Sequence, residues 1–144
     1  MSGAALGRRR RDERGSLAIE MAMIAPGLLL IFGLIFAYGR AGQVNGALES
    51  GTRDAARSAT MARSYAEAEQ RARQVVSEAI GGTPAACRHS LSVEVSDDYL
   101  PGEPITVTAR CRYGLADLGL PGAPGTLTAT SSFTSMLDPY RGVD

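Results

Sequence analysis

The chain has 144 residues, of which 44% are hydrophobic, 21% charged and 6% aromatic, so it suits about one small domain and excludes a large multidomain enzyme. All fifteen basic residues are arginine and there is one histidine, which excludes lysine Schiff-base chemistry, a lysine-dependent phosphate loop and a histidine-rich metal site. Cys87 and Cys111 lie too far apart for a CxxC redox or zinc motif. We therefore expect no enzyme activity, no metal, no cofactor and no small-molecule substrate.

The net charge of zero conceals an uneven distribution of charge along the chain. Residues 1–15 carry five arginines and two acids, a local charge of +3, whereas residues 41–144 carry nine arginines and twelve acids, a local charge of −3. Nucleic-acid binding favours a basic domain with aromatic side chains for stacking, and this body is acidic with few aromatics. We expect a basic leader over residues 1–15, an acidic body, and no nucleic-acid partner.

An apolar segment separates the leader from the body. Residues 21–39 are nineteen consecutive uncharged residues, and the apolar stretch extends back to Leu17 with Glu20 as its only charge. Since roughly 20 helical residues cross a hydrocarbon core about 30 Å thick, residues 16–39 predict a transmembrane helix. The preceding arginines predict a single-pass cell-membrane protein with a cytoplasmic N-terminus and an extracytoplasmic C-terminus. The alternative is a secretory signal cut after Gly39, although its apolar region would exceed the usual length of about 7 to 15 residues.

Glu20 is the residue in this segment that a simple anchor does not explain. An ionised carboxylate costs about 2.5 to 3.5 kcal/mol at the centre of a membrane helix, and less near its end. If the chain is cut after Gly15, Ser16 supplies an α-amino cation one helical turn from Glu20, and the two charges neutralise each other in lipid. The same amine from a neighbouring subunit would make Glu20 a residue that sets the register of assembly. The alternative is a glutamate that extends to the membrane interface.

Pro26 lies inside the predicted span. A proline removes one helical hydrogen bond and predicts a kink, which membrane helices tolerate better than helices in water.

The spacing of these residues resembles that of a known family. Gly15, Glu20 and Pro26 fit a pattern of an Arg-Gly pair, four mostly small or apolar residues, a Glu, and a Pro six positions later. Together with an Ala- and Arg-rich stretch at residues 47–59, this pattern resembles the TadE-like minor pseudopilins of tight-adherence (Flp, type IVb) pilus systems. The resemblance covers residues 14–60.

The resemblance implies a structural membrane protein for the assembly of a Tad-type pilus used in cell adhesion. It implies that a prepilin peptidase cuts between Gly15 and Ser16, and that Glu20 is the glutamate five residues after the glycine. The implied partners are the membrane, the peptidase, other pilin-like subunits and the Tad assembly machinery. Without the resemblance, the sequence is also compatible with another function, that of a secreted or membrane-anchored extracellular binding domain with an N-terminal export signal. A membrane-bound hydrolase would have to use His89 as its base.

The remaining sequence predicts a pilin-like α+β fold. Residues 40–82 are rich in alanine and have a stripe of mostly small apolar residues at spacings of three and four: Val44, Leu48, Gly51, Ala55, Ala59, Ala62 and Ala66, continued by Tyr65, Ala68, Ala72, Val76 and Ile80. This pattern predicts one amphipathic extracytoplasmic helix that ends at Gly81-Gly82. Residues 83–144 predict a small antiparallel sheet of about three strands with a C-terminal tail. The strands are expected at residues 90–96, 105–113 and 127–134.

A small exported domain with a modest core gains from a covalent cross-link. Cys87 and Cys111 are the candidates for a disulfide, since export places them in an oxidising compartment. The alternative is two free thiols.

Overall fold

The computed structural model describes residues 6–97 and 99–140, with side chains from residue 16 onward. The elements in chain order are α1 (Leu6–Ala59), α2 (Tyr65–Ala79), α3 (Ala85–His89), β1 (Ser92–Val95), β2 (Pro104–Gly114) and β3 (Thr126–Met136), with a 3-10 turn at Ala116–Leu118. The strands form one antiparallel sheet in the order β1-β2-β3. The predicted α+β layout, a long N-terminal helix followed by a three-stranded antiparallel sheet, is confirmed. The chain divides after Phe36 into two compact units, called here unit 1 and unit 2.

The sheet forms because polar and apolar residues alternate along its strands. Every second residue of β2 is buried, and the residues between them, chiefly threonine and arginine, lie on the opposite face. The buried residues of β1 and β2 are Val93, Val95, Ile105, Val107, Ala109, Cys111 and Tyr113. We call this side of the sheet the inner face and the opposite side the outer face. The expected strand bounds agree with the structure to within two residues at each end.

The single helix predicted over residues 40–82 is wrong, because the structure has two helices with a break at residues 60–64. Ser64 is extended, with φ −138° and ψ 161°, and its hydroxyl accepts a hydrogen bond from the Glu67 N–H at 3.3 Å. The Glu67 carboxylate accepts one from the Arg63 N–H at 2.9 Å. The first bond satisfies one of the free amides at the start of α2, and the second holds the residue before the cap. Together they favour a new helix start here over continuation of α1 through the surrounding alanines.

The buried stripe predicted for this region is present in two parts. Ala66, expected in the stripe, is exposed because the helical pattern restarts at Tyr65. The expected stripe residues that are buried are Val44, Leu48, Gly51, Ala55, Ala59, Ala62, Ala68, Ala72, Val76 and Ile80.

Gly51 permits a close approach between α1 and α2. A Cβ atom placed on Gly51 would lie 2.6 Å from the Ala79 Cβ, which is too close without a shift of the backbone. The same atom would lie 3.5 Å from the Val76 Cα, an ordinary contact distance. Buried alanines continue this contact, so the two helices join the inner face of the sheet in one core. Small residues therefore set the spacing of the helices in unit 2.

Two tyrosines tie the break between α1 and α2 to the β1–β2 hairpin. The Tyr99 hydroxyl donates to the Ala62 carbonyl at 2.5 Å and lies 3.3 Å from that of Ala59, the last residue of α1. The Tyr65 hydroxyl lies 3.1 Å from the Val95 carbonyl and 3.2 Å from the Asp97 carboxylate. The Tyr99 bonds meet carbonyls at and just after the end of α1, and the Tyr65 bonds connect the start of α2 to the end of β1.

The two cysteines are buried and joined. The Sγ atoms of Cys87 and Cys111 lie 2.02 Å apart, and the bond links α3 to the middle of the sheet. The short helix α3 has no counterpart among the predicted elements. It places Cys87 over the inner face, where Cys111 points.

Candidate functional site

The four residues singled out near the N-terminus all lie on helix α1. Gly15, Ser16, Glu20 and Pro26 follow one another along a helical backbone that runs without interruption from Leu6 to Ala59. In an α-helix, residues four apart lie on the same face and about 6 Å apart along the axis. The fold therefore brings Ser16 next to Glu20, one turn away, with Gly15 directly before them.

The surface of residues 16–36 is apolar and largely exposed. Its large apolar side chains are between 48% and 75% exposed. They are Leu17, Ile19, Met21, Met23, Ile24, Leu28, Leu29, Leu30, Ile31, Phe32, Leu34, Ile35 and Phe36. The helix that contains them has an 18-residue window of mean hydropathy 2.2, long enough and apolar enough to cross a membrane. This segment is a candidate membrane span, consistent with a membrane protein.

Glu20 is exposed within this apolar surface. Among the described side chains, those of residues 16–97 and 99–140, none forms a hydrogen bond or ion pair with its carboxylate. A carboxylate in lipid needs a cation or a hydrogen-bond donor to offset the loss of hydration.

Pro26 interrupts the hydrogen bonding of the span without ending the helix. Because proline has no N–H, the carbonyl of Ala22, four residues earlier, lacks its usual helical donor. Gly27 follows with no atom within 4 Å of the position of a Cβ. The predicted kink at Pro26 remains a prediction.

The polar residues of unit 2 serve its packing. Glu67 accepts a hydrogen bond from the Arg63 N–H and pairs with Arg71 at 2.6 Å, and both contacts lower the pKa of its carboxyl. Partial burial and the hydrogen bond to Asp97 raise the pKa of the Tyr65 hydroxyl. Burial also raises the pKa of Tyr113. Glu67 holds the start of α2 in place, and Tyr65 connects it to the β1–β2 hairpin.

The histidine and the cysteines do not converge on a site. His89 is exposed at the end of α3, and the nearby Cys87 sulfur is bonded to Cys111. Within residues 6–97 and 99–140, no group of three or more His, Cys, Asp or Glu residues is placed to hold a metal ion. A groove of about 580 Å³ beside α2 and β1 is lined by Arg73, Arg88 and Glu94 among others, and it is open to solvent.

Sequence reasoning missed two residues that position unit 2. Gly51 was one of several residues in the stripe, and nothing in a single sequence distinguishes a glycine at a helix crossing from its neighbours. Tyr99 contacts residues 37 and 40 positions away, and such long-range bonds leave no local pattern. The capping of α2 did have a signal, the Ser64-x-x-Glu67 spacing.

Comparison with known proteins identifies one part of the chain. Residues 15–57 match the family model described as TadE-like protein. The matched segment begins at Gly15, lies entirely within α1 and covers less than a third of the chain. No curated protein and no solved structure matches the chain significantly. The sheet and α2 fall outside the matched segment.

Proposed function

We propose that this chain is a TadE-like protein, that it is a minor pilin-like subunit of a Tad-type pilus, and that residues 16–39 hold it in the membrane before assembly. The match of residues 15–57 to the TadE-like family model supports the proposal. Its family and its long apolar helix fit a membrane protein related to the Tad pilus. One coincidence carries the proposal. The family match begins at Gly15, and the exposed apolar surface begins one or two residues later. Its role is structural rather than enzymatic.

The proposal includes a processing step at the start of this segment. A prepilin peptidase hydrolyses the bond between Gly15 and Ser16, which leaves a carboxylate on Gly15 and an ammonium group on Ser16. Gly15 has no side chain, so the backbone on that side of the bond is open to a peptidase. The arginine-rich leader is removed on the cytoplasmic side, the side that the positive charge of the leader favours.

The new ammonium group gives Glu20 a function in the subunit. Before assembly, the amine of Ser16 and the carboxylate of Glu20 lie one turn apart on the same face of the helix, and they offset each other in lipid. During assembly, the exposed carboxylate pairs with the N-terminal amine of a neighbouring subunit. Opposite charges attract strongly in a medium of low dielectric constant, so this pair fixes the register between adjacent helices.

Substitution of Glu20 tests this role in cells. In the native host, with the chromosomal gene replaced, we expect Glu20→Ala to abolish or strongly reduce the pili recovered by shearing, while the membrane content of the subunit stays normal. Glu49→Ala is the matched control, because Glu49 is an exposed glutamate on the same helix outside the apolar segment, where it pairs with Arg53 at 3.2 Å. Normal piliation in Glu20→Ala would overturn the role of Glu20. Normal piliation after deletion of the whole gene would overturn the proposed function.

A further inference from the structure

The end of unit 2 at which the chain enters it combines the start of this part of α1 with the turn after α2. A cavity of about 190 Å³ is lined there by α1 between Arg40 and Ala47 and by residues 82–84. An α-helix rises 1.5 Å per residue, so this stretch of α1 covers only about 10 Å. We call this the entry end of unit 2. With residues 16–39 in the membrane, as the proposed function holds, the entry end lies close to the membrane surface.

Three arginines are connected to one another at the entry end. The Arg88 guanidinium donates to two carbonyls of the turn after α2, at 2.7 Å and 3.1 Å. Two residues later, the Ser90 hydroxyl accepts a hydrogen bond from the Arg112 N–H at 2.8 Å and lies 2.9 Å from the Arg112 carbonyl. Arg110 precedes Arg112 by two positions on β2, so both side chains lie on the outer face of the sheet.

The side chains of Arg110 and Arg112 are exposed and form no ion pair within the described ranges. The ion pairs that the described side chains do form lie on α1 and α2. Glu94, the acid of β1, lies opposite Thr108 and is not paired with Arg110. The positive charges of the two arginines are therefore directed at solvent, where an anion can reach them.

Hydroxyl groups surround these two arginines. Ser92 lies opposite Arg110 on β1, and Thr128 lies opposite Arg112 on β3. Together with Ser90, these four residues line an open pocket of about 200 Å³. A guanidinium group donates two parallel hydrogen bonds to a phosphate, and hydroxyl groups supply further donors. The pocket thus presents the donors that the oxygens of a phosphate group accept.

The two ends of unit 2 differ in charge. Residues 83–93 and 104–116 contain the three arginines and no acid. The opposite end, formed by the break between α1 and α2 and by the β1–β2 turn, holds Glu67, Asp97 and Glu103. Because residues 41–144 carry a net charge of −3, the basic entry end stands out against the rest of the unit. An anionic surface would attract the entry end and repel the opposite end.

The loop between β2 and β3 adds apolar residues at the entry end. It begins two residues after Arg112, spans residues 115–125, and contains three leucines and two prolines. Pro121 and Pro124 are exposed. The acid in this loop, Asp117, accepts a hydrogen bond from the Gly114 N–H at 2.6 Å, so its carboxylate is directed at the end of β2. Apolar residues next to cations are typical of surfaces that rest on a membrane interface.

We propose that the entry end of unit 2 docks on the membrane surface and that Arg88, Arg110 and Arg112 bind the phosphate groups of anionic lipids there. The inference rests on the proposed membrane span at residues 16–39, because the span tethers the entry end to that surface. Electrostatic attraction to a charged surface acts over about 10 Å at 0.1 M salt, and the tether keeps the arginines about that close. The contact determines which side of unit 2 faces the lipid before assembly.

A fluorescent label beside the arginines tests the contact. Because Cys87 and Cys111 are bonded to each other, Thr126→Cys adds the only free thiol. Thr126 is exposed at the start of β3, opposite Gly114. The full chain, labelled there with nitrobenzoxadiazole, is reconstituted in vesicles that contain lipids with a spin-labelled, quenching headgroup. We expect several-fold stronger quenching in phosphatidylcholine with phosphatidylglycerol than in phosphatidylcholine alone.

Thr134→Cys is the matched control for the position of the label. Thr134 is exposed on the same strand and the same face, about 27 Å farther from the entry end, because eight residues of a strand separate it from Thr126. We expect weak quenching at this position in both kinds of vesicle. Equal quenching at the two positions would overturn the proposal.

Removal of charge tests the role of the arginines. In the chain labelled at position 126, we expect Arg110→Gln with Arg112→Gln to abolish most of the gain in quenching that phosphatidylglycerol causes. Arg57→Gln with Arg63→Gln is the matched control, since it removes the same charge from two exposed arginines near the opposite end of unit 2. It should leave the gain unchanged. An unchanged gain in the first double variant, or an equal loss in both, would overturn the proposal.

Extraction of the vesicles with alkaline carbonate separates this inference from the proposed function. Release of the chain would overturn the membrane span and, with it, the docking. A chain that stays in the vesicles but is quenched equally with and without phosphatidylglycerol would overturn the docking alone. Loss of the gain on addition of inorganic phosphate, but not of sodium chloride at the same ionic strength, would identify a site for free phosphate and would also overturn docking on lipid.

Discussion

Two stretches of the same helix, residues 16–36 and residues 37–59, differ in how their apolar side chains are covered. In the first stretch, Leu30 is 68% exposed and Phe32 is 64% exposed, whereas Leu48 and Ala55 of the second are fully buried. Both stretches are helical, so helix formation does not distinguish them. The difference lies in the packing, because α2 and the sheet cover the second stretch, whereas the large apolar side chains of the first are mostly exposed. Large exposed apolar surfaces are typical of segments that contact a membrane or another protein.

The two stretches also differ in the size of their apolar residues. The first uses leucine, isoleucine, phenylalanine and methionine, which suit contact with lipid chains, while the second uses mostly alanine and glycine on its buried face. Small residues let a second helix approach closely, as Ala79 does at Gly51. Along this helix, large exposed apolar residues give way to small buried ones at about residue 37.

The same substitution in each stretch sharpens this comparison most. We expect Leu48→Ala to lower the free energy of unfolding of unit 2 by about 2 to 5 kcal/mol, because it leaves a cavity in a packed core. Leu30→Ala should leave that free energy within about 0.5 kcal/mol, because the Leu30 side chain is 68% exposed. Guanidinium unfolding of the full chain in detergent, followed by tyrosine fluorescence, measures both. Equal losses would contradict the division of the helix.

The disulfide is the next largest expected contribution. Cys87 and Cys111 are 24 residues apart, and a cross-link across such a loop stabilises the folded state by about 3 to 4 kcal/mol in the chain-entropy model. We expect the double variant Cys87→Ala with Cys111→Ala to lose about that amount and to keep the membrane association of the full chain. Thiol labelling of the unreduced, denatured protein is the check on the bond itself. Labelling of both cysteines would contradict it.

The close approach at Gly51 predicts a smaller effect that can be reversed. We expect Gly51→Ala to destabilise unit 2 by about 1 to 2 kcal/mol, because the new Cβ forces α2 away from α1, although alanine favours the helix itself. Adding Ala79→Gly removes the atom that the new Cβ meets and should restore part of the loss. A stabilised single variant, or a double variant whose losses simply add, would show that the helices are not in close contact there.

The smallest expected effect is the acid sensitivity of the α2 start. The pKa of Glu67 is lowered in the folded chain by the Arg63 N–H and by Arg71, so its carboxylate contributes stability above its unfolded pKa. That contribution is lost as the pH falls below about 4.3, the ordinary value for a glutamate, and through the lower folded pKa. We expect Glu67→Gln to make unfolding less dependent on pH in this range. The assignment would be contradicted if, between about pH 5 and pH 3, the free energy of unfolding of Glu67→Gln changed with pH as steeply as that of the unsubstituted chain.

The sequence predicts the elements with local periodicity and misses those that depend on distant contacts. The alternation in β2 and β3 locates both strands, because one face of the sheet is buried along their length. The break at residues 60–64 is missed because alanines continue on both sides, although Ser64 and Glu67 carry a capping signal. The contacts of Tyr99 and the approach at Gly51 depend on the final packing and have no local signature.

The positions of the candidate site residues are predictable from the sequence, but their roles are not. Gly15, Ser16 and Glu20 follow from spacing and from the family resemblance, and the helix places them on adjacent turns, yet their roles in processing and assembly remain proposals. The grouping of arginines at the entry end of unit 2 could not be anticipated, because α3 lies beside β2 only in the folded chain.

The N-terminal residue of the mature protein tests the central claim most directly. Mass spectrometry of the membrane and soluble fractions of the native host identifies it in both places. The account predicts a chain that begins at Ser16 in the membrane fraction, with residues 16–36 retained as the apolar segment. A chain that begins at Arg40 in the soluble fraction would contradict the account, because the apolar segment would then be an export signal, and an uncut Met1 in the membrane would contradict the processing step.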